Sequence, residues 1–309
     1  DGHNGIAADE PTRVVREDPD RPGLLYAGTE FGAYLSFDDG GHWHSLQLNL
    51  PVTPVTDIAV HRKDIVLSTQ GRSFWILDDL TPLHQLSDAI THERAHLFAP
   101  RPAIRYHYRA GFGGPEGARA ASDDAPQYPP AGAMIDYWLA SAGTPVTIDI
   151  LNAKGAVIRS FSTDSTRDTS ATRAGTPRLP SRAGLNRVVW DMTYPGPWSA
   201  GGGSRRGGGG PMAAPGSYEV RITAGGTSTG EPLRLLVDPR AQRDGITQSV
   251  LDEQLAFNLR ARDLVSDANR TAESLRALGR RADGGNAKAV SALEAEMFTP
   301  PIRYSRPGL

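Results

Sequence analysis

Short runs in which apolar and polar residues alternate make up most of the chain as far as Val237. Clusters of Gly, Pro, Asn and Asp separate these runs, and the combination predicts half-buried β-strands joined by turns. In the first part of the chain the pattern predicts strands at 12–17, 24–28, 32–37, 42–46, 56–61, 64–69 and 73–77. The chain is therefore expected to be mainly β.

These strands fall into two units that repeat each other. Residues 26–30 align without a gap with 66–70, at an offset of 40. Residues 33–39 align with 73–79 at the same offset. A period of about 40 residues with several short strands per unit is typical of β-propeller blades. Residues 1–86 are therefore expected to form the last two blades of a β-propeller. A closed propeller needs about four to eight blades, so the others are expected upstream of this chain.

The turn between the third and fourth predicted strands carries the pattern S-x-D-x-G-x-x-W, formed by Ser36, Asp38, Gly40 and Trp43. The carboxylate of Asp38 can accept hydrogen bonds from turn amides, and Gly40 can adopt a positive φ. The ring of Trp43 can pack beneath the turn. We therefore interpret the motif as a structural turn without chemistry. In the second unit, leucines stand at the positions of the glycine and the tryptophan.

A second group of strands follows a connector and loop at 87–131. Within 132–239 the pattern predicts strands at 134–139, 146–151, 156–161, 184–192, 216–223 and 233–237. About six antiparallel strands over roughly a hundred residues favour an immunoglobulin-like β-sandwich. The glycine-rich stretch 196–211, with Arg205 and Arg206, lacks a phosphate-binding pattern and is expected to be a disordered loop.

The pattern becomes helical near the end of the chain. Leu251, Leu255 and Leu259 recur every four residues after Thr247, whose hydroxyl can cap a helix N-terminus. A second short helix is predicted at 287–297, with Val290, Leu293 and Met297 on one face. The segment 247–309 is therefore expected to be helical, and truncated because residues 300–309 show neither a helix nor a strand period.

Composition narrows the classes of function. The net charge of −2 over 309 residues offers no basic stripe for nucleic acid. No run approaches the roughly 18 apolar residues that a membrane span needs. The chain has no cysteine, which excludes disulfides and thiol catalysis. Neither a cofactor, nor a nucleic-acid partner, nor a membrane span is therefore predicted.

One motif has the spacing of a zinc site. His92, Glu93 and His96 form the pattern H-E-x-x-H, which binds zinc when both histidines lie on one helical face. The residues that follow, 97–102, contain two prolines, which break a helix. The preferred interpretation is a chance match in an interdomain connector, and no metal site is predicted.

Glycoside hydrolysis would need two carboxyl groups about 5–9 Å apart in a cleft. Glu30 and Gln70 occupy matching positions after the second strand of each unit, and Arg72 follows closely. Glu30 and Arg72 are therefore candidate catalytic residues at the mouth of the predicted propeller. The competing interpretation is the ordinary polarity of surface loops.

Several segments together resemble a known protein superfamily. The segments are 13–19, 24–30, 36–43, 69–79, 184–192 and 215–220. Through them the chain resembles, over nearly its whole length, the C-terminal part of large bacterial proteins of the sialidase-like (BNR-repeat) and sortilin-like propeller superfamily. In such proteins the S-x-D-x-G-x-x-W turn is called the Asp box, and a sandwich module follows the propeller.

The resemblance implies an exported protein, either periplasmic or secreted. Members of the superfamily are often labelled glycosyl hydrolases or exo-sialidases. A sialidase carries an arginine triad, a Tyr–Glu nucleophile pair and an acid Asp. In this chain Arg13, Arg16 and Arg72 are candidates for the triad by residue type only.

Two functions are consistent with these observations. The first is a binding and scaffolding segment of an exported propeller protein, with the remaining blades of the parent as partners and a glycan or a protein as ligand. The alternative is the C-terminal portion of a sialidase-like glycoside hydrolase whose main catalytic residues lie upstream. In either case this chain alone is expected to be inactive as an enzyme.

Overall fold

The computed structural model describes residues 4–106, 131–164, 179–199 and 210–297. Strands take up 36% of these residues and helices 25%, so the chain is mainly β, as its apolar pattern predicts. Most of the predicted disordered loop at 196–211, including Arg205 and Arg206, lies outside the described residues, as does the segment 300–309.

Two antiparallel sheets form what we call the first module. The strands of the four-stranded sheet, in spatial order, are β1 (Thr12–Glu17), β2 (Leu25–Thr29), β3 (Ala33–Ser36) and β4 (His44–Ser45). The strands of the three-stranded sheet, in spatial order, are β5 (Val55–His61), β6 (Asp64–Thr69) and β7 (Phe74–Leu77). Spatial order follows chain order because a short turn joins each strand to the next.

A short helix, α1 (Thr81–Gln85), stands where the repeat would place a fourth strand in the second sheet. Pro82 lies in its first turn, where a fixed φ and a missing N–H favour a helix start. Leu80 is fully buried and Leu83 packs against the same core. The leucines that replace the glycine and tryptophan of the turn motif thus anchor a helix instead of an outer strand.

The two sheets of the first module share one apolar core. Strand β5 lies against β1 and β2, and alternate residues of each strand point inward. In β6, for example, Ile65 and Leu67 are buried whereas Val66 and Ser68 are half-buried. The core comprises Val14, Leu24, Tyr26, Ala33, Leu35, Leu50, Val55, Ile58, Ile65, Leu67 and Leu80.

Eight further strands form two sheets that we call the second module. They are β8 (Ala95–Leu97), β9 (Ala103–Arg105), β10 (Ala133–Leu139), β11 (Val146–Leu151), β12 (Val157–Ser162), β13 (Gly184–Trp190), β14 (Gly216–Ala224) and β15 (Thr227–Val237). One sheet has the order β13-β10-β8 and the other β12-β11-β14-β15-β9. All pairs are antiparallel except β15 with β9. Strands β8 and β9 lie within the predicted connector, so part of that segment belongs to the sheets.

The two sheets of the second module share a core as well. Val146, Ile148 and Ile150 alternate inward along β11, and Trp190 at the end of β13 is fully buried. The indole of Trp190 packs edge-on against the ring of Tyr218, with 5.4 Å between ring centroids. Burial of aromatic and β-branched side chains from both sheets holds this module together.

Helices occupy the connector and the end of the described chain. They are α2 (Asp88–His92), α3 (Pro239–Arg243), α4 (Gln248–Arg281) and α5 (Gly284–Met297). Thr247 is the N-cap of α4, as predicted, and its side chain accepts from the amide of Val250. Among the described residues, no helix is long and apolar enough to cross a membrane.

Candidate functional site

Two loops at one end of the first module have the same construction. Loop 30–32 joins β2 to β3, and loop 70–73 joins β6 to β7. Thr29 closes the first by donating its amide to the carbonyl of Gly32 at 2.9 Å, with its hydroxyl oxygen 3.1 Å from the same carbonyl. Thr69 closes the second in the same way on Ser73, at 3.2 and 2.6 Å. The structural equivalence agrees with the offset of 40 residues in the sequence.

A buried threonine joins the two loops. The amide of Thr53 donates to the carbonyl of Phe31 at 3.4 Å, and its hydroxyl donates to the carbonyl of Gln70 at 3.3 Å. Thr53 is only 3% exposed. The two loops are therefore neighbours on one surface, which we call the loop end.

The first candidate catalytic residue, Glu30, is held by an arginine. Its Oε1 lies 2.5 Å from Nη2 of Arg13, and both side chains are about one-third exposed, at 29% and 38%. The backbone amide of Glu30 donates to Pro11 at 3.1 Å, which fixes the loop beside β1. Glu30 thus presents a carboxylate already paired with a guanidinium.

The other candidate, Arg72, lies in loop 70–73, and its carbonyl accepts from Nε1 of Trp75 at 2.9 Å. Arg16, a candidate for the arginine triad by type, donates instead to Asp57 of β5 at 2.7 Å. Arg13 and Arg16 therefore hold different carboxylates and do not converge on one anion site.

A second carboxylate at the loop end was not singled out from the sequence. Glu10 accepts hydrogen bonds from the hydroxyl of Tyr34 at 2.7 Å and from the hydroxyl of Thr29. The bond to Glu10 and partial burial raise the pKa of Tyr34, so its phenol stays protonated at neutral pH. The segment that contains Glu10 lies before β1 and shows no periodic pattern, so only the fold places it here.

Three large apolar side chains are exposed on the same surface. Phe31 is 50% exposed, Leu48 72% and Val52 74%. The backbone of Leu48 has a φ of +42°, a left-handed conformation that side chains other than glycine rarely adopt. The amide group of Gln47 holds this segment by donating to the carbonyls of Leu50 and Pro51, at 2.8 and 3.1 Å. The loop end therefore exposes three large apolar side chains.

The S-x-D-x-G-x-x-W turn lies between β3 and β4, at the opposite end of the sheet. The carboxylate of Asp38 accepts from the hydroxyl of Ser36 at 2.8 Å and from the amide of His42 at 2.7 Å. Hydrogen bonds from the ring and amide of His42 and from Ser36 hold the pKa of Asp38 well below its usual value. Gly40 has a φ of +87°, and the half-buried Trp43 lies next to it.

The two histidines of the H-E-x-x-H motif do not share a helix. Helix α2 ends at His92, and His96 lies in strand β8. Nδ1 of His92 is 2.6 Å from the carbonyl of Asp88, and Nδ1 of His96 is 3.0 Å from Oε2 of Glu93. Each imidazole is therefore engaged locally, and the helical zinc-binding geometry is not formed.

Asp18, Asp20 and His84 bring one potential ligand atom each to within 4.8 Å of one another. The buried carboxylate of Asp18 accepts from the hydroxyl of Tyr26 and from Nε2 of His84, both at 2.8 Å. Its other oxygen accepts from the amides of Asp20 and Arg21. Burial alone would raise the pKa of Asp18, but these hydrogen bonds outweigh it and the pKa is lowered. Both oxygens are satisfied, so the cluster serves to attach α1 to the β1–β2 turn.

No family model matches the chain, and no curated protein matches it closely.

Proposed function

We propose that the chain is the C-terminal part of an exported propeller protein of the sialidase-like (BNR-repeat) or sortilin-like superfamily. Two observations support this. The four-stranded sheet carries the Asp-box turn between its outer strands, and the second sheet repeats its loop construction 40 residues later. The first module then corresponds to the final two blades, and the remaining blades of the parent cover its open sides.

Residues 132–239 would then form an immunoglobulin-like sandwich that follows the propeller. Two sheets that share a core and are antiparallel apart from the β15–β9 pair, together with a buried tryptophan, support this assignment. Arg187 of β13 donates to the carbonyls of Asp78 and Asp79 at 3.1 and 3.2 Å, so the second module braces the end of the last blade. This is the scaffolding part of the proposed role.

The functional part of the proposal is ligand binding at the loop end. The observation that carries it is the exposed apolar group of Phe31, Leu48 and Val52 beside the Arg13–Glu30 pair. Apolar contacts would supply affinity, and the charged pair would orient polar groups of the ligand. A carboxylate held by a guanidinium suits binding better than proton donation. The ligand would be a glycan or an extended peptide.

Immobilised glycans and a displayed random-peptide library test this proposal on the 309-residue chain. We expect selective capture of one class, and we expect Leu48→Asp to reduce it at least about tenfold by removing an apolar anchor. Leu293→Asp, at an α5 side chain that is 45% exposed and distant in sequence from the loop end, is the matched control and should bind as the unaltered chain does. Selective capture that Leu48→Asp leaves intact would refute the loop end as the site. Absence of selective capture from both arrays would refute binding by this chain.

The glycoside hydrolase remains the second candidate, on one specific observation. The superfamily resemblance implies a Tyr–Glu pair in a sialidase, and Tyr34 donates to Glu10 at 2.7 Å. The raised pKa of Tyr34 disfavours it as a nucleophile, because the phenol must lose its proton to attack. Turnover of aryl sialosides by the parent protein, abolished by Tyr34→Phe and by Glu10→Gln, would establish this alternative over the binding role.

A further inference from the structure

Strand β7 is the outer strand of the three-stranded sheet, and within the described ranges it pairs with β6 alone. Trp75 and Leu77 of β7 pack against the core of the first module, whereas Phe74 and Ile76 point outward. Phe74 is 73% exposed and Ile76 60%. An apolar strand with one unpaired edge is a template for pairing with another strand.

The backbone groups that face the open edge belong to the same two outward residues. The amide of Thr69 donates to the carbonyl of Ser73 at 3.2 Å, and hydrogen-bonded pairs alternate with non-hydrogen-bonded pairs along an antiparallel ladder. In the register of β6 with β7, Phe74 and Ile76 therefore occupy non-hydrogen-bonded positions. Their N–H and C=O groups are directed away from β6, toward the open edge.

The carbonyls just beyond the two ends of β7 are already used. The carbonyl of Arg72 accepts from Nε1 of Trp75 at 2.9 Å, and that of Asp78 accepts from Nη1 of Arg187 at 3.1 Å. The open edge of β7 thus offers four backbone groups, an N–H and a C=O on each of its two outward residues.

We propose that the open edge of β7 is a self-association site, at which a second copy of the chain adds its own β7 in antiparallel orientation. A two-fold axis through Trp75 places Phe74 of each copy opposite Ile76 of the other. Each of these two pairs exchanges two backbone hydrogen bonds, so all four groups of each copy are used. The aromatic and β-branched side chains then lie side by side on the outer face, where such cross-strand pairs are stabilising.

Other antiparallel registers use fewer of these groups. An axis at Phe74 or at Ile76 sets that residue opposite its own copy. The other outward residue then faces position 72 or 78, whose carbonyls already accept hydrogen bonds. The axis at Trp75 also brings Arg72 of each copy beside Asp78 of the other, so opposite charges meet at both ends of the strand pair.

The remaining edges of the first module are less suited to pairing. Strand β1 lies against β5 and carries Arg13, Arg16 and Glu17, and charged side chains on an edge strand oppose pairing between copies. Strand β4 has only two residues, both polar. In the proposed propeller the last strand of a blade lies at the outer rim, so the remaining blades of the parent would leave the edge of β7 open.

Two short strands bury little surface, so the dimer is expected to be weak. Sedimentation equilibrium of the 309-residue chain, from about 10 μM to about 1 mM, is the direct measurement. We expect a monomer–dimer equilibrium and at least about tenfold weaker association for Ile76→Pro, because proline has no N–H and two of the four intermolecular bonds are lost. Proline is tolerated on an edge strand where the amide does not serve the ladder, as at Ile76.

Val15→Pro is the matched control for this variant. Val15 is also a β-branched residue on an edge strand, and it is 45% exposed. The amide of Asp18 donates to the carbonyl of Leu24 at 2.8 Å, so the same alternation directs the amide of Val15 away from β2. Val15→Pro should associate as the unaltered chain does. Circular dichroism and thermal melts check that both proline variants fold.

A disulfide tests the register. The chain has no cysteine, so a single introduced cysteine can bridge only to another copy. Opposite Cα atoms in a hydrogen-bonded antiparallel pair are about 5.5 Å apart, which a disulfide spans. A mixture of Phe74→Cys and Ile76→Cys chains should therefore cross-link under mild oxidation. Either variant alone should cross-link far more slowly, because like positions then lie more than about 7 Å apart.

Three results would overturn the proposal. They are a monomer at the highest concentration, a dimer that Ile76→Pro leaves unchanged, and a mixture of the two cysteine variants that cross-links no faster than either alone. A monomer whose Phe74 and Ile76 amides are protected from hydrogen exchange would mean that another segment of the same chain occupies the edge, which likewise overturns self-association. Pairing through β7 needs no ligand at the loop end, so its outcome is separate from that of the glycan and peptide capture.

Discussion

The guanidinium of Arg187 holds the buried carboxylate of Asp136 through two hydrogen bonds. Nε donates to Oδ1 at 2.7 Å and Nη2 to Oδ2 at 3.1 Å, between neighbouring strands β13 and β10. The remaining donors of the same guanidinium reach the carbonyls of Asp78 and Asp79, at the end of the first module. One side chain therefore joins the two modules, and it can do so because Asp136 keeps it neutralised and oriented.

Replacement of this arginine should be costly. Arg187→Met removes the partner of Asp136, which is only 4% exposed, and we expect a loss of about 3 kcal/mol in the free energy of unfolding. Urea denaturation measures it. The double variant Arg187→Met with Asp136→Leu should recover part of the loss, because no buried charge is then left unpaired. Equal losses in the single and double variants would show that the pair contributes little beyond the carbonyl contacts.

Asp78 should destabilise the protein at neutral pH. Partial burial and the nearby carboxylates of Asp64 and Asp79 raise the pKa of Asp78, and the charges of Arg101 and Arg187 offset this only in part. A raised pKa in the folded state means that folding favours the protonated form. The cost is therefore present above the ordinary carboxyl pKa and disappears as the pH falls below it.

Asp78→Asn should accordingly raise the melting temperature at pH 7 by ~1–3 °C, with the gain shrinking toward pH 4. Asp64→Asn is the matched control and should lower it. Asp64 accepts from Arg101 at 2.7 Å and from the amide of Asp79 at 2.8 Å, so its charge is used. Thermal melts of both variants across this pH range decide the question. A lower melting temperature for Asp78→Asn at pH 7 would contradict the assigned cost.

The Asp18 cluster should have the opposite dependence on pH. The lowered pKa of Asp18 means that folding favours its ionised form. The ionised carboxylate therefore adds to the free energy of unfolding above the ordinary carboxyl pKa. This stabilisation is lost as the pH falls through the lowered pKa. Asp18→Asn should lower the free energy of unfolding by about 1–3 kcal/mol at pH 7, because the side-chain nitrogen of asparagine cannot accept the hydrogen bonds that one carboxylate oxygen accepts. The difference from the unaltered chain should narrow in acid. If the two chains differ in the free energy of unfolding by the same amount at every pH, Asp18 contributes through its shape and not through its charge.

The Asp-box turn should be sensitive at one glycine. Gly40→Ala forces a side chain into a φ of +87° and should cost about 1–2 kcal/mol. Asp39→Gly, one residue earlier with a φ of +57°, should be neutral or slightly stabilising because glycine adopts this conformation without strain. Chemical denaturation of the two variants provides the comparison, and an equal effect from both would refute a backbone origin.

Leu48 should show a conflict between stability and function. Its left-handed backbone costs of the order of 1 kcal/mol, so Leu48→Gly should increase stability or leave it unchanged despite the loss of a side chain. The same variant should lose ligand capture at the loop end, because the exposed apolar group is gone. Paired measurements of the melting temperature and of ligand capture test this. Val52→Gly is the control, because it deletes an exposed apolar side chain but leaves the backbone strain at Leu48 in place. A marked loss of stability in Leu48→Gly would show that the strain is not stored there.

The local pattern of apolar and polar residues predicted most of the strands, but it did not predict the two strands that lie within the connector 87–131. The alternation at 146–151 predicts β11 residue for residue, because a buried face with period two leaves little freedom in register. Strands β8 and β9 have three residues each, too short for a periodic signal, and they form because β10 and β15 offer them open edges. Helix α1 likewise replaces an outer strand for reasons of packing around Leu80 that the repeat alone does not reveal.

The sequence by itself determined the mainly β character, the glycine turn at Gly40 and the cap at Thr247, since each depends on neighbours within a few residues. It also determined the 40-residue repeat, because matching segments recur along the chain. Only the tertiary structure decided the partners of its charged groups. The pairing of Glu30 with Arg13, of Glu10 with Tyr34 and of Arg187 with Asp136 joins residues from different strands or segments. Electrostatic and hydrogen-bonding contacts act over a few ångströms in space, and spacing along the chain does not specify that distance.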